Sequence, residues 1–240
     1  MYNGFKMTER ISIIIPTLNE EEHIGRCLKA VFRQRRDLIK EVIVADYNST
    51  DRTRQICGDF DVRIVPGGAP SLARNSGAAE AQGELLLFLD ADSVLPMGFL
   101  EKAVKRFREI NPAVISFFLA PIPYRLSPAA VLTFYNYYSW LAARLNLPFF
   151  ATSASCMMTT KANHDAVKGF DSEMAVLEEY EYVRCLKKRG RFRVIPLTFF
   201  TSMRRYNGLG AFRKGAALFI YYFNFLLGRK VHTDKYGYWK

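Results

Sequence analysis

Leu85-Leu86-Leu87-Phe88-Leu89 is the segment that most narrows the folds open to this chain. It is a continuous apolar run, preceded by Gly83 and cut off by Asp90-Ala91-Asp92. A run this short, bounded by glycine and a polar turn, predicts a strand buried on both faces, as in the interior of a parallel sheet. Asp90 and Asp92 then fall at its carboxyl end, the edge where open α/β sheets hold their ligands. Two carboxylates at i and i+2 can converge on one hard cation, and such a cation can hold phosphate oxygens. Acidic residues also cap strands and form turns, so the pair points to metal only with support from elsewhere.

That support begins upstream. Ile11 to Ile15 is a β-branched run closed by Pro16, which predicts a strand with a sharp end. Asn19 is placed to cap the next helix, with Glu20, Glu21 and Glu22 in its first turn. Ile24, Cys27, Leu28, Val31 and Phe32 recur there at helical spacing. Glu41 to Ala45 predicts a second strand, ending in Asp46-Tyr47-Asn48-Ser49-Thr50-Asp51, and Val62 to Val65 a third. A helix from Ser71 to Gln82 leads into the Asp90 strand, and Pro96 suits the first turn of a helix reaching about Ile110. Strict alternation of strand and helix predicts an α/β fold, a Rossmann-like, mostly parallel sheet flanked by helices. Right-handed crossovers gather the polar strand ends on one edge as a nucleotide cleft. There is no Gly-x-Gly-x-x-Gly and no Gly-x4-Gly-Lys-Ser, so neither a dinucleotide fingerprint nor a P-loop is supported.

At 240 residues the chain is long enough for one large domain or two fused lobes. Its formal charge of +11 and pI near 9.5 favour an anionic partner: nucleic acid, a phosphorylated small molecule or an acidic membrane surface. A solvated basic surface is the plain alternative. Nucleic acid fits worst, because Asp90 and Asp92 repel phosphates unless a metal intervenes. Cys27, Cys57, Cys156 and Cys185 form no Cys-x-x-Cys and read as core residues in a reducing compartment. His23, His164 and His232 are scattered, which argues against zinc. Met1 to Arg10 is polar without an apolar core, so no signal peptide is expected and the chain is expected to face the cytoplasm.

Beyond Ala113 the texture changes. Ala113 to Ala120 predicts one more strand, and Pro121, Pro123 and Pro128 punctuate a loop. Ala129 to Phe150 is rich in aromatics, but Asn136, Arg144 and Asn146 interrupt it, so it is not a clean membrane span. Core packing explains such a stripe plainly; a lipid-facing or subunit-facing helix, with the chain a homo-oligomer, is the sharper reading. Gly215 to Leu227 is apolar except for Asn224 and is bracketed by Arg213, Lys214, Arg229 and Lys230. As a helix it spans about 20 Å, short of a bilayer core. It suits either the headgroup region of an anionic membrane or packing on the second lobe.

With these residues in place, the chain resembles the family 2 glycosyltransferases, which have the GT-A fold. Ile13-Ile14-Ile15-Pro16-Thr17-Leu18-Asn19-Glu20 is similar to that family's opening strand and loop. Asp46-Tyr47-Asn48-Ser49-Thr50-Asp51-Arg52-Thr53 resembles its Asp-x-Gly-Ser-Thr-Asp-x-Thr turn, with Tyr47 where many relatives have an acid and Asn48 where they have glycine. Ala73-Arg74-Asn75-x-Gly77, then Gly83-Glu84 and Phe88-Leu89-Asp90-Ala91-Asp92, resembles its metal-binding segment. Motifs in this order and spacing are far more specific than any one alone. The resemblance runs from about Ile11 to Phe99 and more thinly to Pro196.

The resemblance implies transfer of a sugar from a nucleotide-diphosphate donor, with Mg2+ or Mn2+ as cofactor and inversion favoured. It implies that Pro16, Thr17, Asn19 and Glu20 line the nucleotide, that Asp46 contacts the base, that Arg74 approaches the nucleotide or the diphosphate, and that Asp90 and Asp92 reach ribose and metal, directly or through water. Leu177-Glu178-Glu179-Tyr180-Glu181 falls where the family has Glu-Asp, so Glu179 is the candidate base and Glu178 the second. An acidic helix N-terminus is the plain alternative. Arg204 and Arg205 suit a leaving diphosphate or an acceptor phosphate, or solvent. The expected organisation is a nucleotide-sugar half over 1–112, an acceptor-side half over 113–203, and a basic, aromatic-rich helical tail over 204–240. The expected activity is transfer to a lipid-linked or cell-surface glycan at the inner face of the membrane. A soluble acceptor, or a nucleotide-sugar-binding protein without transfer, is the alternative.

Overall fold

The computed structural model describes residues 10–123, 126–147, 155–202, 220–230 and 232. The first half holds β1 (Ile11–Thr17), α1 (Ile24–Phe32), β2 (Ile39–Asp46), α2 (Thr53–Cys57), β3 (Arg63–Pro66), α3 (Pro70–Glu80), β4 (Leu85–Leu89), β5 (Ser93–Val94) and α4 (Phe99–Ile110). The second holds β6 (Val114–Ile122), α5 (Leu126–Arg144), β7 (Cys156–Thr160), α6 (Lys161–Ala166), α7 (Glu178–Lys187) and β8 (Phe192–Ser202). A last helix, α8, covers 220–226.

These strands form one sheet in the order β3-β2-β1-β4-β7-β6-β8-β5. The first four are parallel, as are β6 and β8, whereas β7 runs antiparallel to β4 and β6, and β5 to β8. Alternate side chains leave opposite faces, and each face has its own core. Ile13, Ile15, Leu87 and Leu89 pack with Leu28 of α1 and Phe99 and Val104 of α4. Ile14, Ile43 and Phe88 pack with Ala73 of α3 and Tyr182 and Leu186 of α7. Every residue of β4 is buried, as its unbroken apolar run predicts. Its carboxyl end opens on the same edge as those of β1 and β2, which fixes the cleft.

Several expected boundaries move. Pro16 does not end β1: it pairs with Ala45 and the strand runs to Thr17. Asn19 is not a helix cap. α1 starts at Ile24 behind His23, and Asn19 is held at φ 53° by contacts to the next loop. Pro96 precedes α4 rather than entering its first turn: left-handed Gly98 is the N-cap, and the Pro96 carbonyl accepts from Phe99 N–H. In β8 the register against β6 jumps from Phe117↔Ile195 to Phe118↔Thr198, because Pro196 has no N–H to offer.

The aromatic stretch after Ala129 is helical and its tail, 148–150, lies outside the described residues. Of the expected helix Gly215 to Leu227, residues 215–219 lie outside them too. The visible part has two faces. Tyr221 and Phe225 are buried in the core beside α7, where Tyr180 meets Tyr222 edge-on at 5.2 Å and Arg184 lies 5.1 Å over Phe225. Ile220, Phe223 and Leu227 face outward. No helix among the described residues is long and apolar enough to cross a membrane.

Gly77 owes its place to packing: a Cβ there would lie 2.4 Å from Ile14 Cγ2, so α3 approaches β1 only because the side chain is absent. Gly77→Ala is expected to overpack this contact and lower stability by about 1–3 kcal/mol, read from the midpoint of urea unfolding.

Candidate functional site

The loops after β1 and β2 are laced together before any ligand arrives. Asp46, buried at the end of β2, accepts from Thr17 Oγ1 at 3.3 Å and from Ser49 N–H at 3.1 Å. Asn19 accepts from Thr50 N–H at 2.9 Å and donates its own N–H to Ser49 Oγ at 2.9 Å. Glu20 N–H donates to Thr53 Oγ1, and Glu21 N–H to Asp51 Oδ2. Asn19 and Asn48 both take positive φ, 53° and 51°, in keeping with the tolerance of asparagine for that region. Pro16 is in the sheet itself, paired with Ala45 one residue before the end of β1. The result is a rigid wall whose polar atoms largely hold one another.

Arg74 stands on α3. Its guanidinium donates to Asp90 Oδ1 at 3.1 Å and to Glu178 Oε1 at 3.0 Å. The Arg74 side chain is 5% exposed and that of Glu178 6%, so both charges are out of water. Such a cation survives only if paired, and the two carboxylates keep it charged. The ring of Phe170 lies 5.4 Å from it, backed by Phe88 and Tyr182. Neighbouring Asn75 has a different task. Its amide accepts from Phe170 N–H and donates to Phe170 O, both at 2.8 Å, fixing the turn that positions the ring. Within Ala73-Arg74-Asn75-x-Gly77, therefore, only Arg74 addresses the cleft.

Glu178 and Glu179 open α7, but only Glu178 takes the arginine. Glu179 is partly buried beside it. Desolvation, then the adjacent Glu178 charge, push its carboxyl from the ordinary 4.5 up to about 8, against the weaker pull of its backbone hydrogen bond and Arg74. The two acids are thus separated in role: Glu178 is held by the arginine, and Glu179 is poised to exchange a proton near neutrality.

Asp90 is anchored through its own N–H to Ser155 O, and Ser93 N–H returns to Asp90 O, closing the turn beyond β4. Asp92 Oδ1 accepts from Thr201 Oγ1 at 3.3 Å. Among the described residues no cluster of three or more acids, histidines or cysteines surrounds them. The donor set therefore suits a hard cation that keeps waters and takes its remaining ligands from a substrate's phosphates, as Mg2+ does. Asp90 and Asp92 are the residues that would hold it.

The structure thus brings together Thr17 with Asp46, Asn19 and Glu20 with the second loop, and Arg74 with Asp90 and Glu178. Arg204 and Arg205 lie outside the described residues. Thr201 and Ser155 were not foreseen; each lies more than sixty positions from its partner, with no local signal to mark it.

A raised carboxyl pKa has a stability consequence. The unfolded chain ionises Glu179 near 4.5, whereas the folded chain resists until about 8, so stability is lost progressively as pH rises between these values. Glu179→Gln is expected to raise Tm at pH 8 and leave it unchanged at pH 4, measured by differential scanning fluorimetry.

Comparison with known proteins places this arrangement. Residues 12–164 match the model of "Glycosyl transferase family 2". The glycosyltransferase GlyG of Streptococcus pneumoniae is 29% identical over 118 residues, 45% of this chain and 38% of that protein. A Campylobacter jejuni protein, GalNAc(5)-diNAcBac-PP-undecaprenol beta-1,3-glucosyltransferase, is 31% identical over 110 residues, 42% of this chain and 35% of its own. Each match spans little more than a third of the relative. The mannosyltransferase PcManGT from Pyrobaculum calidifontis, solved with GDP-Man and Mn2+, superposes with a TM-score of 0.74 over 95% of this chain and 67% of its own, at 19% identity. That likeness establishes a GT-A fold, and the family match covers more than half of the sequence: the chain belongs to glycosyl transferase family 2.

Proposed function

We propose that the protein moves a sugar from a nucleotide-diphosphate donor to a hydroxyl of a lipid-linked or cell-surface glycan, with Mg2+ or Mn2+ at Asp90 and Asp92 and with inversion. The observation that carries this reading is the double ion pair of Arg74. Arg74 joins the strand-end carboxylate Asp90 to Glu178, which lies 104 residues beyond the arginine in sequence, and this supports donor and acceptor groups sharing one cleft. Pro16, Thr17, Asn19, Glu20 and Asp46 form its nucleotide wall, within the 1–112 half; Glu178 and Glu179 stand on the acceptor side, within 113–203.

Bound at Asp90 and Asp92, the metal would offset the negative charge of the leaving diphosphate. Arg74 lies beside them as a fixed cation and needs no reorganisation when that charge develops. Glu179 takes the proton of the acceptor hydroxyl as its oxygen bonds to the anomeric carbon and the bond to the diphosphate breaks. Glu178, fully engaged by Arg74, is the weaker candidate for that task. Attack from the face opposite the leaving group inverts the anomeric centre.

Support for the acceptor class comes from the Campylobacter relative, named for an undecaprenol-linked acceptor, and from the charge of +11. Support for the metal comes from the Pyrobaculum neighbour, captured with Mn2+. The site of action on this reading is the cytoplasmic face of a membrane, reached peripherally through the basic segment 204–240, with Arg204 and Arg205 as candidates to bind a leaving diphosphate or an acceptor phosphate.

Asp92→Asn is expected to abolish metal-dependent binding of nucleotide sugars while leaving Tm near wild type; normal turnover with unchanged metal dependence would contradict the assignment. Glu179→Gln is expected to lower kcat about 100-fold or more with donor KM nearly unchanged. In the wild type, kcat/KM should climb with pH and level off above about 8, since the base works deprotonated. A Glu179→Gln enzyme with near-normal kcat points to Glu178, Glu181 or an acceptor that is already anionic.

A further inference from the structure

Helix α5 sets two polar anchors among mostly small apolar residues on its buried face and large apolar residues on its outward face. Its buried face carries Ala129, Leu132, Ala142 and Ala143 together with the polar residues Asn136 and Ser139. Asn136 clamps the helix to β6, accepting from Leu119 N–H at 3.0 Å and donating to Leu119 O at 2.9 Å. Ser139 returns its hydroxyl to Tyr135 O. The outward face is the apolar one: Val131, Phe134, Tyr138, Leu141 and Leu145 are all exposed, Phe134 by 75% and Val131 by 66%. Their spacing of three and four residues sets them in one stripe along the helix. A surface helix of a globular protein shows the reverse arrangement, and a contiguous exposed apolar patch marks an interaction site.

The stripe has a charged neighbour. A groove of about 800 Å³ runs beside α5 and is lined by Lys102, Lys105, Arg144, Arg191 and Arg193, with Trp140 as part of its wall. Its single acid among the described lining residues, Glu109, is already paired with Arg106 at 2.8 Å. Burial first, and then the neighbouring charges of Arg191 and Arg144, lower the Arg193 pKa. Arg144 joins the two features: it lies over Trp140 at 5.6 Å, one turn from Leu141 and next to Leu145.

We infer that this face is the membrane-docking surface, with the α5 stripe entering the interfacial layer of an anionic bilayer and the adjoining groove meeting lipid phosphates. Charge selects this occupant over a second copy of the chain. Residues 126–144 contain no acid, and a chain of net charge +11 would set more positive charge against the same groove. Aromatic residues bordered by arginine and lysine suit the headgroup boundary. The inference rests on the membrane reading of the proposed function and gives it a defined face, one that the tail helix, half packed into the core, supplies only in part.

The test is flotation of the full chain with vesicles of phosphatidylcholine alone or mixed with phosphatidylglycerol. It is paired with light scattering for oligomeric state and metal-dependent donor hydrolysis for integrity of the cleft. The wild type is expected to float with anionic vesicles and not with neutral ones. Phe134→Ser with Leu141→Ser should reduce the bound fraction at least ten-fold, and Phe134→Ser alone, at a residue three-quarters exposed, should reduce it with folding intact. Arg144→Gln should lower binding about five-fold, one basic residue near an acidic leaflet being worth about 1 kcal/mol. Undiminished flotation of the double variant overturns the inference. So does a wild type that ignores every vesicle, or a double variant whose only change is from dimer to monomer. A wild type that floats but never turns over donor contradicts the proposed activity instead and leaves the docking face standing.

Discussion

The cleft depends on one buried cation. Arg74 is enclosed by Asp90, Glu178 and the ring of Phe170, and a guanidinium in that position is tolerable only while its partners stay charged and in reach. Removing one partner of such a set is the kind of change that costs about 3–5 kcal/mol. The pairing also fixes function-bearing parts in space. β4 cannot slide relative to α7 without stranding charge, so the strand-end aspartates and the acid pair keep their distance. It divides the acid pair as well: the arginine takes Glu178, while burial first and then the Glu178 charge raise the Glu179 carboxyl.

Much of this was legible in the chain itself, for physical reasons. An unbroken apolar run has one comfortable home, the centre of a sheet covered on both faces, and β4 is there with no residue exposed. The motif residues at the ends of β1, β2 and β4 meet because parallel strands put their carboxyl ends on one edge. Boundaries were less legible. Asn19 has the composition of a cap, yet its side chain finds a better partner in Thr50, thirty-one residues away. Pro16 reads as a strand breaker, but a proline costs a strand only the hydrogen bond its N–H would have made. The antiparallel strand β7 left no signal in the alternation of strand and helix. Nor could the chain alone show that Arg74 chooses Glu178 over Glu179, a choice made by tertiary geometry.

α5 shows the same limit in reverse. Asn136 in an aromatic stretch reads as an interruption, a polar residue spoiling an apolar helix. In the fold it is the anchor, spending both functions of its amide on the backbone of Leu119. That leaves the opposite face free to carry the large apolar side chains of Val131, Phe134, Leu141 and Leu145. Binary patterning identifies which residues are hydrophobic, but the side chosen by the core depends on which polar group can be satisfied there. On the proposed reading, the cleft at one edge of the sheet serves the donor and the cation-bordered helix in the second half serves the membrane.

The central claim is that a divalent cation and the β4 carboxylates together make the donor site. Release of nucleoside diphosphate from UDP- and GDP-sugars, followed in Mn2+ and then after chelation, tests it most directly. The account predicts release with Mn2+ that stops on addition of EDTA and returns when the metal is restored. Release that proceeds at the same rate in EDTA would contradict it.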